Sequence, residues 1–225
     1  MVTPYYDRDG ITIYHGDCRD ILPIIARTSV DLLLTDPPYG FGQSAQRRSK
    51  RAANDPGRDG EFTEIVGDRI PFNPSPLLPY RQVVIFGANH FANLLPNTSG
   101  WIVWDRRNGA TTDNNADAEL IWTNVPGAIR MYRQCWRGFT REDDGLEPHQ
   151  HLHPTQKPVK LMMWILEKFT SPGDLVLDPY MGSGPIARAC QLLGRNYIGI
   201  EIEERYCEIA VKRLQQSVMS FQEVA

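Results

Sequence analysis

Val30-Asp31-Leu32-Leu33-Leu34-Thr35-Asp36-Pro37-Pro38-Tyr39 is the stretch that decides the fold class. An apolar run of this length reads as a strand buried on both faces, which is the pattern of a parallel sheet. The strand ends in a carboxylate, two prolines and an aromatic ring. Proline fixes φ and lacks an N–H, so the pair holds Asp36 and Tyr39 in set directions and leaves the Pro37 carbonyl free to accept.

Outward from this strand, similar short runs occur at Ile11 to Tyr14, Val83 to Phe86, Trp101 to Trp104, Leu120 to Trp122, Leu175 to Leu177 and Tyr197 to Ile202. Helix-period patterns lie between several of them. Met162, Ile165, Leu166 and Phe169 follow Pro158, which suits a first helical position; a second helix follows Gly184; a third begins near Glu203 with Tyr206, Ile209, Ala210 and Leu214 on one face. Strands alternating with helices predict an α/β fold with a doubly wound, mostly parallel sheet. The 225 residues, 41% of them hydrophobic, suit a single domain spanning 1–225. Residues 40–80 break the rhythm with Gly, Pro, Asn, Ser and charge, and predict a long mobile loop.

Ligands of open α/β sheets bind at the carboxyl ends of the strands, which is where Asp36 and Tyr39 fall. An exocyclic amine has two N–H donors beside a π-face, and Asp36, the Pro37 carbonyl and Tyr39 offer two acceptors and a stacking plane. Pro38 completes the rigid turn. A lone tetrapeptide of this kind is explained more readily by an ordinary strand-to-turn exit. The second motif, Asp178-Pro179-Tyr180-Met181-Gly182-Ser183-Gly184, also follows a buried strand and opens a helix. Its glycines permit a tight turn and close approach to a ligand. Glu201, 17 positions after Gly184, ends the next strand near the spacing at which an acidic residue meets ribose hydroxyls. Asp178 adds a carboxylate for an ammonium group. Acidic groups flanking a glycine turn suit a cationic amino-acid nucleoside, a description that S-adenosylmethionine matches, better than a pyrophosphate.

The formal net charge of -3 opposes a uniformly basic nucleic-acid binder, although a local basic stripe can engage phosphates. The cluster Arg47, Arg48, Lys50 and Arg51 is one candidate for DNA contact, and the arginines between Arg106 and Arg141 are another. No apolar run is long enough for a membrane span, so the expectation is a soluble, cytoplasmic protein. The four cysteines show no CxxC pair and none lies beside the spaced His149, His151 and His153, so no metal is expected.

The two motifs together, with His153-Pro154-Thr155-Gln156-Lys157-Pro158 between them, resemble the β-class DNA amino-methyltransferases that act on N6 of adenine or N4 of cytosine. The order, with DPPY before the cofactor glycines, matches the circularly permuted arrangement of that class and covers most of the chain outside residues 40–80. The resemblance implies a Rossmann-like methyltransferase fold, S-adenosylmethionine as cofactor, and DNA as partner, with residues 40–80 taking part in DNA recognition. It makes Asp36, Pro37, Pro38 and Tyr39 catalytic. It assigns Asp17 and Cys18 to the cofactor adenine, Thr155 and Lys157 to the methionine carboxylate, and Asp178, Tyr180, Gly182, Ser183, Gly184 and Glu201 to the rest of the cofactor. Asp17 also reads as a helix N-cap. Trp101 to Asn108 and Asp117 to Thr123 are expected in core roles rather than chemistry. Pro185 departs from the threonine usual after the glycines. Adenine is preferred on the aspartate-type motif, with cytosine, RNA or a catalytically idle nucleic-acid module as alternatives, and a homodimer and a cognate restriction enzyme are what such a family allows.

Overall fold

The computed structural model describes residues 2–40, 66–109, 116–137, 140–141 and 156–220. In chain order these form β1 (Tyr6–Arg8), β2 (Ile11–His15), α1 (Cys18–Ile21), β3 (Leu32–Thr35), β4 (Val83–Ile85), β5 (Trp101–Asp105), β6 (Ala118–Thr123) and β7 (Arg130–Arg133). Then follow β8 (Trp136–Arg137), β9 (Thr140–Arg141), α2 (Val159–Phe169), β10 (Leu175–Asp178), α3 (Pro185–Leu193), β11 (Asn196–Glu201) and α4 (Glu204–Ser220). Every strand expected from the sequence forms, as do the three long helices. Pro158 stands one position before α2, as its extended N-cap, rather than as its first helical residue.

Nine strands make one sheet in the order β1-β2-β11-β10-β3-β4-β6-β5-β7, while β8 and β9 pair as a separate ribbon. Strands β2, β11, β10, β3 and β4 run parallel, so the sheet is mostly parallel at its centre and mixed at its edges. Side chains alternate across it as the pleat demands. Leu32, Leu34, Val84 and Val176 pack into a core with α2, α3 and α4, whereas Leu33, Val83, Ile85 and Leu177 face a second core. Among the described residues that second core is closed by Phe72, Leu77, Tyr80 and Phe91 from irregular turns rather than by long helices.

The expectation of a mobile loop over residues 40–80 is therefore corrected for its later part. Phe72, Leu77 and Tyr80 are buried, because a sheet face carrying Leu33, Val83 and Ile85 has to be covered by something apolar. Residues 41–65, with Arg47, Arg48, Lys50 and Arg51, lie outside the described residues, as do Thr155 and His149, His151 and His153.

Strand order sets where a ligand can sit. From β10 the chain crosses through α3 to β11 on one side, whereas β3 connects to β4 on the other. Neighbours β10 and β3 thus form the switch point of the sheet, where the diverging connections leave a crevice at the carboxyl ends. Asp178 ends β10, and Asp36 directly follows β3.

Candidate active site

Thr35 Oγ1 donates to Asp178 Oδ1 across the switch point at 2.7 Å. Asp178 also accepts from the Tyr180 amide at 3.2 Å and the Tyr197 hydroxyl at 3.1 Å. Its side chain is buried, and burial pushes its carboxyl up to about 7, against the opposing pull of the Thr35, Tyr180 and Tyr197 donors. The sequence suggests that this carboxylate meets a ligand ammonium group; in the fold it accepts from protein donors that clip β3 to β10.

Around the glycine turn, Gly182 and Gly184 adopt the left-handed conformation, with φ of 54° and 76°. A Cβ on Gly184 would also stand 2.8 Å from that of Ala210 in α4. Pro185 opens α3 at a position where its missing N–H costs nothing. Ser183 is buried and accepts from Arg213 through both its carbonyl and, at 3.0 Å, its hydroxyl.

Glu201 ends β11 and braces the turn, accepting from the Gly182 amide and the Glu203 amide at 2.8 Å each. Desolvation raises its pKa against those two amide donors. From the neighbouring strand β2, Gly16 donates to the Glu201 carbonyl at 2.8 Å. The next residue, Asp17, caps α1 by accepting from the Arg19 amide at 2.8 Å. Hydrogen bonds from the Arg19 side chain hold its carboxyl below the usual range. Cys18 is buried against Tyr180. Asp17, Cys18, Tyr180, Gly182 and Glu201 thus gather at the carboxyl edge of β2, β11 and β10.

On the other side of the switch point stands a compact polar cluster. Tyr39 places its hydroxyl 2.6 Å from Asp36 Oδ1 and 2.8 Å from Glu119 Oε1. Lys157 donates to Asp36 Oδ2 at 2.6 Å, and its Nζ is 3.3 Å from Glu119 Oε1. Burial alone would lower the pKa of this ammonium, but the carboxylates of Asp36 and Glu119 prevail and hold it raised. The Tyr39 hydroxyl is pushed well above its ordinary value, first by burial and then by the same two carboxylates. It is a neutral donor.

Three of the supporting residues, Glu119, Gly87 and His90, escape sequence reading. Glu119 lies in the segment expected to be plain core, yet its carboxylate completes the cluster. Its register on β6, opposite Trp104 of β5, brings it there, and no local pattern encodes that pairing. Gly87, with φ of 64°, lies under the Tyr39 ring, where a Cβ would come within 2.0 Å of Tyr39 Cε1. His90 stacks on the same ring, with centroids 4.9 Å apart and planes tilted by 32°. Arg106 and Arg107, read as phosphate contacts, are engaged within the fold. Arg106 lies over the Trp104 ring, 4.0 Å from Glu119, and Arg107 is buried against Asp117 at 2.5 Å.

Residues 104–212 match the family model described as DNA methylase, with the N6- and N4-specific amino-methyltransferases as its members. The Asp36-Pro37-Pro38-Tyr39 turn lies ahead of that match, in the permuted position, and the sheet joins the two. Over residues 104–212 the chain is similar to that family. Similar proteins include the type II methyltransferase M.HinfI of Haemophilus influenzae, 27% identical over 91% of this chain and 68% of its own length. The type II methyltransferase M2.DpnII of Streptococcus pneumoniae is also 27% identical, over 96% of this chain and 93% of its own. Among solved structures, the complex of M1.HpyAVI with its ligand SAM aligns with a TM-score of 0.55 at 27% identity, covering 91% of this chain and 98% of that one. The cytosine-N4-specific PvuII DNA methyltransferase aligns at 0.58 with 15% identity over 94% and 95% of the two chains, a likeness of fold. No helix among the described residues is long and apolar enough to cross a membrane.

Proposed function

We propose that this protein transfers a methyl group from S-adenosylmethionine to the exocyclic amine of a base flipped out of DNA, and that the base is adenine. The observation that carries the reading is the meeting, at one switch point, of the Asp36–Tyr39 turn and the glycine turn of β10, tied by the Thr35 to Asp178 hydrogen bond.

The cofactor side fits an amino-acid nucleoside. The Glu201 carboxylate keeps lone pairs beyond those taken by the Gly182 and Glu203 amides and can accept from ribose hydroxyls. Cys18, Tyr180 and Ile200 form an apolar wall suited to a purine. Lys157, held between Asp36 and Glu119, and Thr155 are assigned to the methionine carboxylate by resemblance alone. Bound at this edge, the cofactor supplies an electrophilic methyl on a sulfonium.

The chain's own residues act on the other reactant. An exocyclic amine shares its lone pair with the ring, which makes it a poor nucleophile. Donation of its N–H groups to Asp36 and to the Pro37 carbonyl draws the nitrogen toward tetrahedral geometry and returns the lone pair to it. Much of the rate then comes from holding two reactants in line. With the methyl transferred, the surplus proton of the amine would leave by way of the Asp36 carboxylate to water. A base inside a duplex cannot reach this crevice, so flipping is required, with the Tyr39 ring offering a stacking face.

The decisive experiment is transfer of labelled methyl groups to duplex DNA, with digestion to nucleosides and Asp36→Ala as control. N6-methyladenine that vanishes in the control supports the reading; N4-methylcytosine keeps the mechanism and changes the base; transfer to RNA in preference to DNA overturns it. The proposal extends to a cytoplasmic location. The same reading extends to a homodimer and a cognate restriction enzyme, tested by the mass in solution and by whether methylated sites resist a matching endonuclease.

A further inference from the structure

One proton and two acceptors meet at the Tyr39 hydroxyl. It lies 2.6 Å from Asp36 and 2.8 Å from Glu119, and it can donate to only one of them at a time. Asp36 Oδ2 is meanwhile held by Lys157 at 2.6 Å, so Oδ1, the oxygen facing Tyr39, is the one a substrate amine has to win. An amine donating there competes with the tyrosine hydroxyl for the same oxygen and weakens its bond to Asp36, and a poorly paired buried hydroxyl is costly.

We propose that Glu119 is a positioning residue that takes over the Tyr39 hydroxyl when the substrate amine arrives, releasing Asp36 Oδ1 for the reaction. Rotation about the tyrosine C–O bond is enough to move the hydrogen from one carboxylate to the other. Glu119 Oε1 also stands 3.3 Å from Lys157 Nζ, so it shares the ammonium and keeps that charge from being held by Asp36 alone. Arg106, 4.0 Å from Glu119 Oε2, steadies the carboxylate from the far side. Glu119 does not touch the reacting atoms in this scheme. It acts through Tyr39 and Lys157.

The inference rests on the amino-methylation reading, and the test separates the two. Methyl transfer to DNA is measured for the wild type, Glu119→Leu, Glu119→Gln, Tyr39→Phe and the double variant Tyr39→Phe with Glu119→Leu. Glu119→Leu should lower kcat by roughly 10- to 100-fold with the KM for DNA changed far less, the effect of losing one charge-assisted acceptor. Glu119→Gln keeps an acceptor at the same place and should recover most of that loss. Removing the competing hydroxyl should help the crippled enzyme, so the double variant should be at least about 5-fold faster than Glu119→Leu, a non-additive outcome. A double variant no faster than Glu119→Leu overturns the proposal, as does Glu119→Gln losing as much as Glu119→Leu. If Glu119→Leu does not fold, Glu119→Ala takes its place in both comparisons. A wild type that methylates no DNA overturns the functional reading and this inference with it.

Discussion

Lys157 sets the charge balance of the active site. Its ammonium lies between two carboxylates, so Lys157→Met would leave Asp36 and Glu119 facing each other across Tyr39 with no cation between them. Stripping one partner from a buried ionic cluster costs about 3–5 kcal/mol. Urea unfolding at pH 7 should show a loss of that order, together with loss of methyl transfer. Gly87 matters for shape alone. A methyl group there would collide with the Tyr39 ring and would force a side chain into left-handed backbone, so Gly87→Ala should displace the ring. A misplacement of about 1 Å at a reacting centre is worth roughly 100-fold in rate. Steady-state kinetics should show a fall in kcat of that size while far-ultraviolet circular dichroism stays native.

At the scale of elements, the strand–turn–helix unit of β10, the 182–184 turn and α3 is where sequence and packing agree most closely. Gly184 is required twice, by its φ of 76° and by the close approach of Ala210 from α4. Gly184→Ala should therefore destabilise the protein by about 1–3 kcal/mol, seen as a lower melting temperature, since it adds backbone strain to overpacking. The buried strands and the long helices are legible because their side chains do the stabilising and carry the period. Strands β1 and β7 are not, because an edge strand is stabilised largely by backbone hydrogen bonds to one neighbour. Tyr6–Arg8 and Arg130–Arg133 have exposed, charged sequences with no apolar alternation to detect. Pairing of β7 with β5 is fixed by the register Ile102 to Arg130, which exists only once the sheet has assembled.

For the whole molecule, Asp178 links the two halves of the sheet and makes stability depend on pH. Its folded-state pKa of about 7 lies above the ordinary 3.8, so the folded protein holds this proton more tightly than the unfolded chain does. The contribution is fully present below about pH 4 and is lost as pH rises through about 7. Asp178→Asn cannot titrate. Between pH 5 and pH 8 the wild type should lose roughly 2–3 kcal/mol of unfolding free energy relative to Asp178→Asn, measured by urea unfolding at both pH values. A difference that stays constant over that range would show that this carboxylate is ionised in the fold throughout.

Sequence by itself determined the α/β class, the central strands, and the two turns that carry the proposed chemistry. These are local: a buried strand has to be apolar, a rigid turn needs proline, and a left-handed turn needs glycine. Only the tertiary structure decided how Asp178 and Lys157 are used and that Glu119, Gly87 and His90 belong to the site. Asp178 reads as a ligand carboxylate in sequence, and its bond from Thr35, 143 positions away, appears only in the fold. Lys157 meets Asp36 across 121 positions and Tyr39 meets Glu119 across 80. Ion pairs and hydrogen bonds of that reach depend on which strands become neighbours, and that is settled by burying the sheet's two faces rather than by anything in the residues beside them.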